Sequence, residues 1–185
     1  MAAHLSIAVL VGSLRKESLS RKMAHAAVAV APEGMQFNFV DIGSLPLYNA
    51  DLETEAPPAA WQAFREQIRA ATAVLFVTPE YNRSVPGALK NAIDVGSRPP
   101  GKGVWSGKTC AVISVSPGAL GAFGANHHLR ASFVSLNMPV MQQPEAYIGN
   151  AATLFDASGA LVNDATREFL GKYVQAFAAW VARHV

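Results

Sequence analysis

The residues best suited to chemistry fall in three short polar segments, each of which follows an apolar run. The first, residues 12–20, carries Ser13, Arg15, Ser18 and Ser20. Serine hydroxyls and a helix N-terminus bind anions, and an arginine can donate two parallel hydrogen bonds to phosphate oxygens. The segment lacks the glycines of a dinucleotide-binding fingerprint. It predicts a cradle for a terminal monophosphate, and the alternative for this segment alone is a serine helix cap with solvated charges.

The second segment, residues 79–87, is a stiff polar turn between a buried apolar run and a helical pattern. It opens with Pro79, Glu80, Tyr81 and Asn82. Its backbone groups can bond the polar edge of a planar ring, while Tyr81 covers part of a face and Asn82 offers an amide. Glu80 is expected to be a solvated carboxylate whose amide matters more than its charge. The alternative is a structural Pro-Asn turn.

The third segment, residues 116–122, begins with Ser116 and contains Gly118. Glycines let a backbone approach a ligand without side-chain obstruction. Taken alone, the segment is also consistent with a tight turn before a helix. Taken with the other two, it completes a phosphate cradle beside a planar-ring site. That combination describes a mononucleotide cofactor, and flavin mononucleotide (FMN) suits it best.

The rest of the chain alternates strand-like and helical patterns. Strands are predicted at residues 5–11, 36–40, 74–77, 109–115 and 139–141, and helices at residues 20–30, 57–71, 86–95, 122–136 and 165–183. The stripes expected to face the core are Trp61, Phe64 and Ile68 in the second helix and Phe169, Tyr173, Phe177 and Trp180 in the last. This alternation predicts an α/β fold with a doubly wound parallel sheet, and the flavodoxin-like order is the simplest for five strands. Loops after the first, third and fourth strands then meet at one edge of the sheet.

Length and composition set the class of protein. The 185 residues suit one domain spanning residues 1–185, and the net charge of +2 comes without a basic cluster, so no nucleic-acid partner is expected. The single cysteine, Cys110, lies in an apolar run and indicates a reducing compartment. Residues 5–11 are too short and lack the basic flank of a signal peptide, and no run is long enough to span a bilayer. We expect a cytoplasmic protein without a membrane partner.

Three motifs mimic other kinds of site. Residues 103–109 approach a Walker A loop but are one residue short and lead into a strand rather than a helix. Residues 114–118 approach a nucleophile elbow, yet Pro117 removes an amide that an oxyanion hole would use. His127 and His128 are adjacent, so on a helix they diverge by about 100° and do not share a metal. The sequence predicts no catalytic side chain and no metal site.

The chain closely resembles the NADPH-dependent FMN reductase family, the flavodoxin-like group that includes bacterial quinone and chromate reductases. The resemblance covers nearly the whole chain and is carried by residues 12–18, 47–53 and 79–94. It implies that the FMN phosphate is held by Ser13, Arg15, Ser18 and Ser20. It implies that the isoalloxazine ring is held by Pro79, Glu80, Tyr81 and Asn82 with the loop of Ser116 and Gly118. Family members form dimers, often paired into tetramers, so a homodimer or homotetramer is expected.

Two departures from the family pattern are visible. Many members have tryptophan directly after the aspartate at position 94, where this chain has Val95 and Gly96. The loop after the fourth strand often ends in paired glycines, whereas here Gly121 is followed by Ala122. We expect these changes to affect the substrate pocket or a subunit contact more than flavin binding.

The resemblance implies an oxidoreductase in which NADPH or NADH gives a hydride to the flavin and then leaves. A quinone, azo compound, metal oxyanion or free flavin takes its place, and one shared face implies ping-pong kinetics. Alternatives are a reductase that supplies reduced FMN to a partner monooxygenase, a flavin-binding module without turnover, and a flavodoxin-type electron carrier. Such carriers are usually strongly acidic, and the net charge of +2 argues against the last.

Overall fold

Strands and helices alternate along residues 5–184, the part of the chain that the computed structural model describes. The strands are β1 (Leu5–Val11), β2 (Met35–Phe39), β3 (Ala73–Thr78), β4 (Thr109–Val115) and β5 (Ala146–Ile148). The helices are α1 (Leu19–Ala29), α2 (Ala59–Ala70), α3 (Gly87–Gly96), α4 (Phe123–Ser135) and α5 (Asp164–Ala182). No helix within these residues combines the length and hydropathy needed to cross a bilayer.

The strands form one parallel sheet in the order β2-β1-β3-β4-β5. This order is the flavodoxin-like one, so the predicted fold is confirmed. The register aligns Ile7 of β1 with Ala73 of β3, and Ala73 with Thr109 of β4. Because β1, β3 and β4 are adjacent and parallel, the loops after their carboxyl ends lie side by side.

Apolar side chains cover both faces of the sheet, as its continuous apolar strands require. On one face, α1 and α5 contribute side chains such as Met23 and Phe177. On the other, α2, α3 and α4 contribute side chains such as Trp61, Leu89 and Phe133. The buried strands between these two layers are the rigid base from which the polar loops extend.

The predicted fifth strand at residues 139–141 is wrong, because β5 lies at Ala146–Ile148 and pairs with the end of β4. Residues 139–141 instead run beside the beginning of β4. There the Cys110 N–H donates to the Pro139 carbonyl at 3.0 Å, and the Met141 N–H donates to the Cys110 carbonyl at 2.8 Å. The edge is interrupted before β5, where Pro144 has no N–H to donate to a ladder. Every other predicted element agrees with the structure to within two residues at either end.

The predicted stripe of α2 is confirmed, since Trp61, Phe64 and Ile68 are all buried. The predicted stripe of α5 also faces the core, although its four side chains are buried to different depths. Tyr173 and Phe177 are fully buried, whereas Phe169 and Trp180 are only partly covered and pack at the margin of the core. Leu170, Val174 and Val181 complete the buried face of this helix.

The segment that resembles a Walker A loop has a structural role. Lys108 Nζ donates to the Ala71 carbonyl at 2.5 Å and lies 3.3 Å from the Arg69 carbonyl, at the C-terminal end of α2. A cation at this end of a helix satisfies unpaired carbonyls and interacts favourably with the helix dipole. Burial lowers the pKa of Lys108.

Candidate functional site

The three polar loops build one cleft of about 210 Å³ at the carboxyl ends of β1, β3 and β4. The residues that line it are Ser13, Arg15, Ser18, Leu19, Ser20, Pro79, Glu80, Tyr81, Val115, Ser116 and Pro117. The structure therefore brings together all of the predicted site residues except Asn82 and Gly118. Leu19, Val115 and Pro117 are additional apolar walls that the sequence analysis did not single out.

The first loop presents buried hydroxyls beside an exposed cation. Ser13, Ser18 and Ser20 are each no more than 4% exposed, although all three line the cleft. Ser18 caps α1, because its Oγ accepts the Arg21 N–H at 3.1 Å. The helix-cap interpretation of this serine is therefore correct, but its hydroxyl hydrogen can still be donated to a ligand. Arg15 forms no ion pair within residues 5–184.

The second loop forms a two-residue turn. Tyr81 and Ser84 exchange backbone hydrogen bonds of 3.0 Å in both directions. Asn82 and Arg83 between them have φ angles of 50° and 64°, the signature of a type I′ turn. Asn82 lies at the exposed tip of this turn and outside the cleft lining, so its amide contact to a ring stays a prediction.

The expectation that Glu80 is a solvated carboxylate is wrong. Its side chain is only 13% exposed, and its Oε2 accepts the Ala125 N–H in the first turn of α4 at 3.1 Å. Arg83 Nη1 lies 3.5 Å from its other oxygen. Local sequence gave no sign of this role, because the capping partner is 45 residues away along the chain.

The third loop is held tightly against β5. Ser116 Oγ accepts the Gly118 N–H at 3.0 Å, and Gly118 itself faces solvent outside the cleft. Gly121 has a φ of 58°, and a Cβ there would lie 2.5 Å from the carbonyl carbon of Tyr147. Ala122 follows with a φ of 59°, so this departure from the family pattern places an alanine in the left-handed region.

A network of hydrogen bonds between polar side chains lies behind this loop and was not predicted from the sequence. Ser114 Oγ donates to the Gly121 carbonyl at 2.7 Å and accepts from Asn126 Nδ2 at 3.2 Å. Arg130 Nε in turn donates to Asn126 Oδ1 at 2.9 Å. This hydrogen-bond network joins the third loop to α4. The available signal was a serine inside a buried apolar strand, which must find a hydrogen-bonding partner.

Comparison with known proteins gives the family. A sequence profile described as NADPH-dependent FMN reductase matches residues 5–153. This chain belongs to the NADPH-dependent FMN reductase family. The resemblance that the motifs predicted is therefore confirmed, and the protein is a member of an oxidoreductase family.

Individual members of the FMN reductase family match this chain almost from end to end. A quinone reductase of Pseudomonas putida is 64% identical over 98% of this chain and 97% of its own length. A 2-hydroxy-1,4-benzoquinone reductase of a Burkholderia species is 48% identical over 96% of each chain. Among solved structures, the flavoenzyme NAD(P)H:(acceptor) oxidoreductase FerB of Paracoccus denitrificans has a TM-score of 0.91. It is 41% identical and covers 97% of this chain and 98% of its own.

The cleft has the chemistry that FMN requires. Three buried serines and Arg15 line it, and their hydroxyls and guanidinium match a phosphate dianion. Pro79, Val115 and Pro117 line the cleft with apolar surface suited to a planar ring. The residues present therefore fit the cofactor of the family.

One residue of the family motifs, Asn91, and one departure from the family pattern, at Gly96, make structural contacts. Asn91 holds the segment before a short 3-10 helix at Ala50–Leu52. Its Oδ1 accepts the Tyr48 N–H at 2.8 Å, and its Nδ2 donates to the Pro46 carbonyl at 3.1 Å. At the end of α3, the space beside Gly96 is filled by Trp105, whose ring atoms would lie 2.5 Å from an added Cβ. In this chain, therefore, the position after Asp94 carries no tryptophan, and the indole of Trp105 from the following loop is buried beside Gly96.

The two adjacent histidines of α4 contact different partners. His127 Nε2 lies 3.0 Å from the Tyr147 hydroxyl, and His128 Nδ1 lies 2.9 Å from Ser84 Oγ. Burial and the neighbouring Glu145 raise the pKa of Tyr147 to about 12. Across residues 5–184, no cluster of His, Cys, Asp and Glu side chains has the geometry of a metal site.

Proposed function

We propose that this protein is an FMN-dependent oxidoreductase that transfers hydride from NADPH or NADH, through bound FMN, to quinones by a ping-pong mechanism. The observation that carries the proposal is the cleft at the carboxyl ends of β1, β3 and β4, where buried serines and Arg15 lie beside apolar walls. The names of the relatives support the acceptor class, since the two quinone reductases align with nearly all of this chain.

The residues of the cleft divide between the two ends of the cofactor. Those proposed to hold the phosphate are Ser13, Arg15, Ser18 and Ser20. Those proposed to hold the ring are Pro79, Glu80, Tyr81, Asn82, Ser116 and Gly118. FMN, when bound, supplies the two-electron redox chemistry. The protein's part is to bind and orient the cofactor, and no side chain of the cleft is required as a nucleophile or general base.

The loops around the cleft also suit flat apolar reactants. Tyr81 lines the cleft with a side chain that is 45% exposed, beside the apolar walls of Leu19, Val115 and Pro117. Nicotinamide and quinone rings both gain from contact with such surface. In this proposal the nicotinamide and the quinone reach the flavin through the same cleft, so they occupy it in turn, as in ping-pong kinetics. Azo compounds, metal oxyanions and free flavin stay predicted alternatives, as do the preference for NADPH, the dimeric or tetrameric state and the cytoplasmic location.

Anaerobic titration of the FMN-loaded protein with NADPH tests the proposal. We expect the visible flavin absorbance to bleach rapidly and to return when a quinone is added. A flavin that stays bound but unbleached would instead support an electron carrier or a binder without turnover. Bleaching accompanied by release of reduced FMN would support a reductase that supplies a monooxygenase. Failure to bind FMN would refute the assignment of the cleft.

The proposed reaction needs no thiol. Cys110 is fully buried in β4, and burial raises the pKa of its thiol. We therefore expect Cys110→Ala to keep its quinone turnover within about twofold of the original rate. It should lose about 1 kcal/mol of unfolding free energy through the smaller side chain. Steady-state NADPH oxidation and urea unfolding measure the two effects. A folded variant without activity would reveal a thiol-dependent step.

A further inference from the structure

The two backbone hydrogen bonds between Tyr81 and Ser84 close the turn, but they do not fix its position relative to the cleft. Arg83 lies in the left-handed region with a φ of 64°, which is unfavourable for a residue with a Cβ. The Tyr81 ring is 45% exposed, so packing of the ring does not fix the turn. The contacts that decide where this wall of the cleft lies must therefore come from the residues that flank Tyr81.

Two hydrogen bonds supply those contacts, one from each side of the turn. Before it, Glu80 Oε2 accepts the Ala125 N–H at 3.1 Å. At its end, Ser84 Oγ lies 2.9 Å from His128 Nδ1. Ala125 and His128 are three residues apart and therefore neighbours on one side of α4. The turn is thus held to the first two turns of a single helix.

Helix α4 has a glycine, Gly124, where the turn packs against it. A Cβ on Gly124 would lie 2.9 Å from both the Arg83 carbonyl oxygen and Glu80 Oε2, so only a glycine leaves room for the contact. The N-cap residue of α4, Ala122, has no side chain that could cap the helix. Glu80 provides the missing acceptor from another loop, and a carboxylate there also interacts favourably with the helix dipole.

We propose that Glu80, Ser84 and His128 form a clamp that sets the position of Tyr81 in the cleft, with Glu80 as its main positioning residue for the flavin ring. The inference rests on the proposed function, because it assigns the clamped wall to the ring end of FMN. Within the clamp, the Glu80 carboxylate contacts α4, and it positions the flavin ring through the backbone of the turn.

Variants at the two ends of the clamp test this inference. The dissociation constant of FMN is measured by quenching of flavin fluorescence, the ring environment by visible circular dichroism, and the fold by thermal unfolding of the flavin-free protein. Glu80→Ala is expected to weaken FMN binding about tenfold and to change the dichroism of the bound flavin. Glu80→Gln keeps an oxygen that can accept from Ala125, so we expect it to stay within about threefold of the original protein.

Ser84 and an exposed control residue provide the remaining variants. Ser84→Ala should weaken FMN binding by about threefold and shift the dichroism in the same direction as Glu80→Ala. Combined with Glu80→Ala, it should cost less than the product of the two separate effects, because both changes release one turn. Glu33→Ala, an exposed site before β2 at the opposite edge of the sheet, is the matched control and should change neither quantity.

Three outcomes would overturn the clamp. One is Glu80→Ala lowering only the unfolding temperature, with FMN affinity and dichroism unchanged. Another is Glu80→Gln behaving like Glu80→Ala, since hydrogen bonding to α4 would then not be the cause. If Glu80→Ala does not fold, an unchanged affinity and dichroism in Ser84→Ala overturns it. Failure of the original protein to bind FMN is a separate result, which refutes the proposed function and the clamp with it.

Discussion

Replacing Arg15 with alanine is expected to weaken FMN binding by about 1.5–3 kcal/mol, which is about 10- to 150-fold in the dissociation constant. Arg15 is exposed at the rim of the cleft, and within residues 5–184 it makes no ion pair that a phosphate would have to displace. Its guanidinium can therefore form charge-assisted hydrogen bonds with the phosphate oxygens. Fluorescence titration of flavin-free protein with FMN measures the loss, which should shrink at high salt because an exposed charge is screened.

Two companion variants separate a direct contact from a general effect of charge. Arg21→Ala removes the same charge from the same stretch of chain, but Arg21 lines a neighbouring depression that includes Asp41, outside the cleft. We expect its FMN affinity to change by less than about threefold, the scale of an exposed charge. Arg15→Lys keeps the charge but loses the paired donors, so an intermediate affinity is expected. Equal losses in Arg15→Ala and Arg21→Ala, or none in Arg15→Ala, would contradict the phosphate assignment.

Replacing Glu53 with alanine is expected to lower the free energy of unfolding by about 3–5 kcal/mol. Glu53 accepts two parallel hydrogen bonds from Arg65, at 2.9 and 2.7 Å, and both side chains are largely buried. Arg65 also donates through Nε to the Val95 carbonyl and lies 5.7 Å from the centre of the Trp61 ring. Without Glu53, its guanidinium would stay buried with unpaired N–H groups. Urea unfolding at constant pH measures the loss.

The control for this prediction lies on the same helix as Arg65. Glu66→Ala removes an exposed carboxylate next to it and should change stability by no more than about 0.5 kcal/mol. Replacing both partners, as in Glu53→Leu with Arg65→Met, should recover part of the loss because no buried charge is left unpaired. A loss below about 1 kcal/mol in Glu53→Ala would show that the buried pair contributes little to the fold.

The sequence was most informative where function and local pattern coincide. Apolar runs ending in polar loops located β1, β3 and β4, and parallel strand order then predicted that Ser13, Tyr81 and Ser116 would meet. The fifth strand was misplaced because Pro139 to Met141 is as apolar as Ala146 to Ile148. Only one of these two short apolar stretches becomes the edge strand. The choice depends on pairing with residues of β4, and such pairing is not visible in local sequence.

Roles that depend on distant partners could not be predicted. Glu80 has no local partner in the sequence, because the N–H that it accepts belongs to α4. Glu53 is likewise only part of a motif in the sequence, because its partner Arg65 lies 12 residues away. The depth of burial along α5 could not be predicted for a similar reason. Tyr173 donates its hydroxyl hydrogen to the Val112 carbonyl at 2.7 Å in the centre of the sheet, whereas Trp180 donates to Pro139 near the edge. Helical spacing alone does not distinguish these two depths.

The location of Cys110 has a consequence for an enzyme that handles quinones. Quinones are electrophiles, and thiolates at a protein surface add to them and become arylated. Cys110 is the chain's sole cysteine, it has no exposed surface, and burial keeps its sulfur protonated. The protein therefore offers no cysteine thiolate to its proposed acceptors, and repeated exposure to them need not inactivate it by this route.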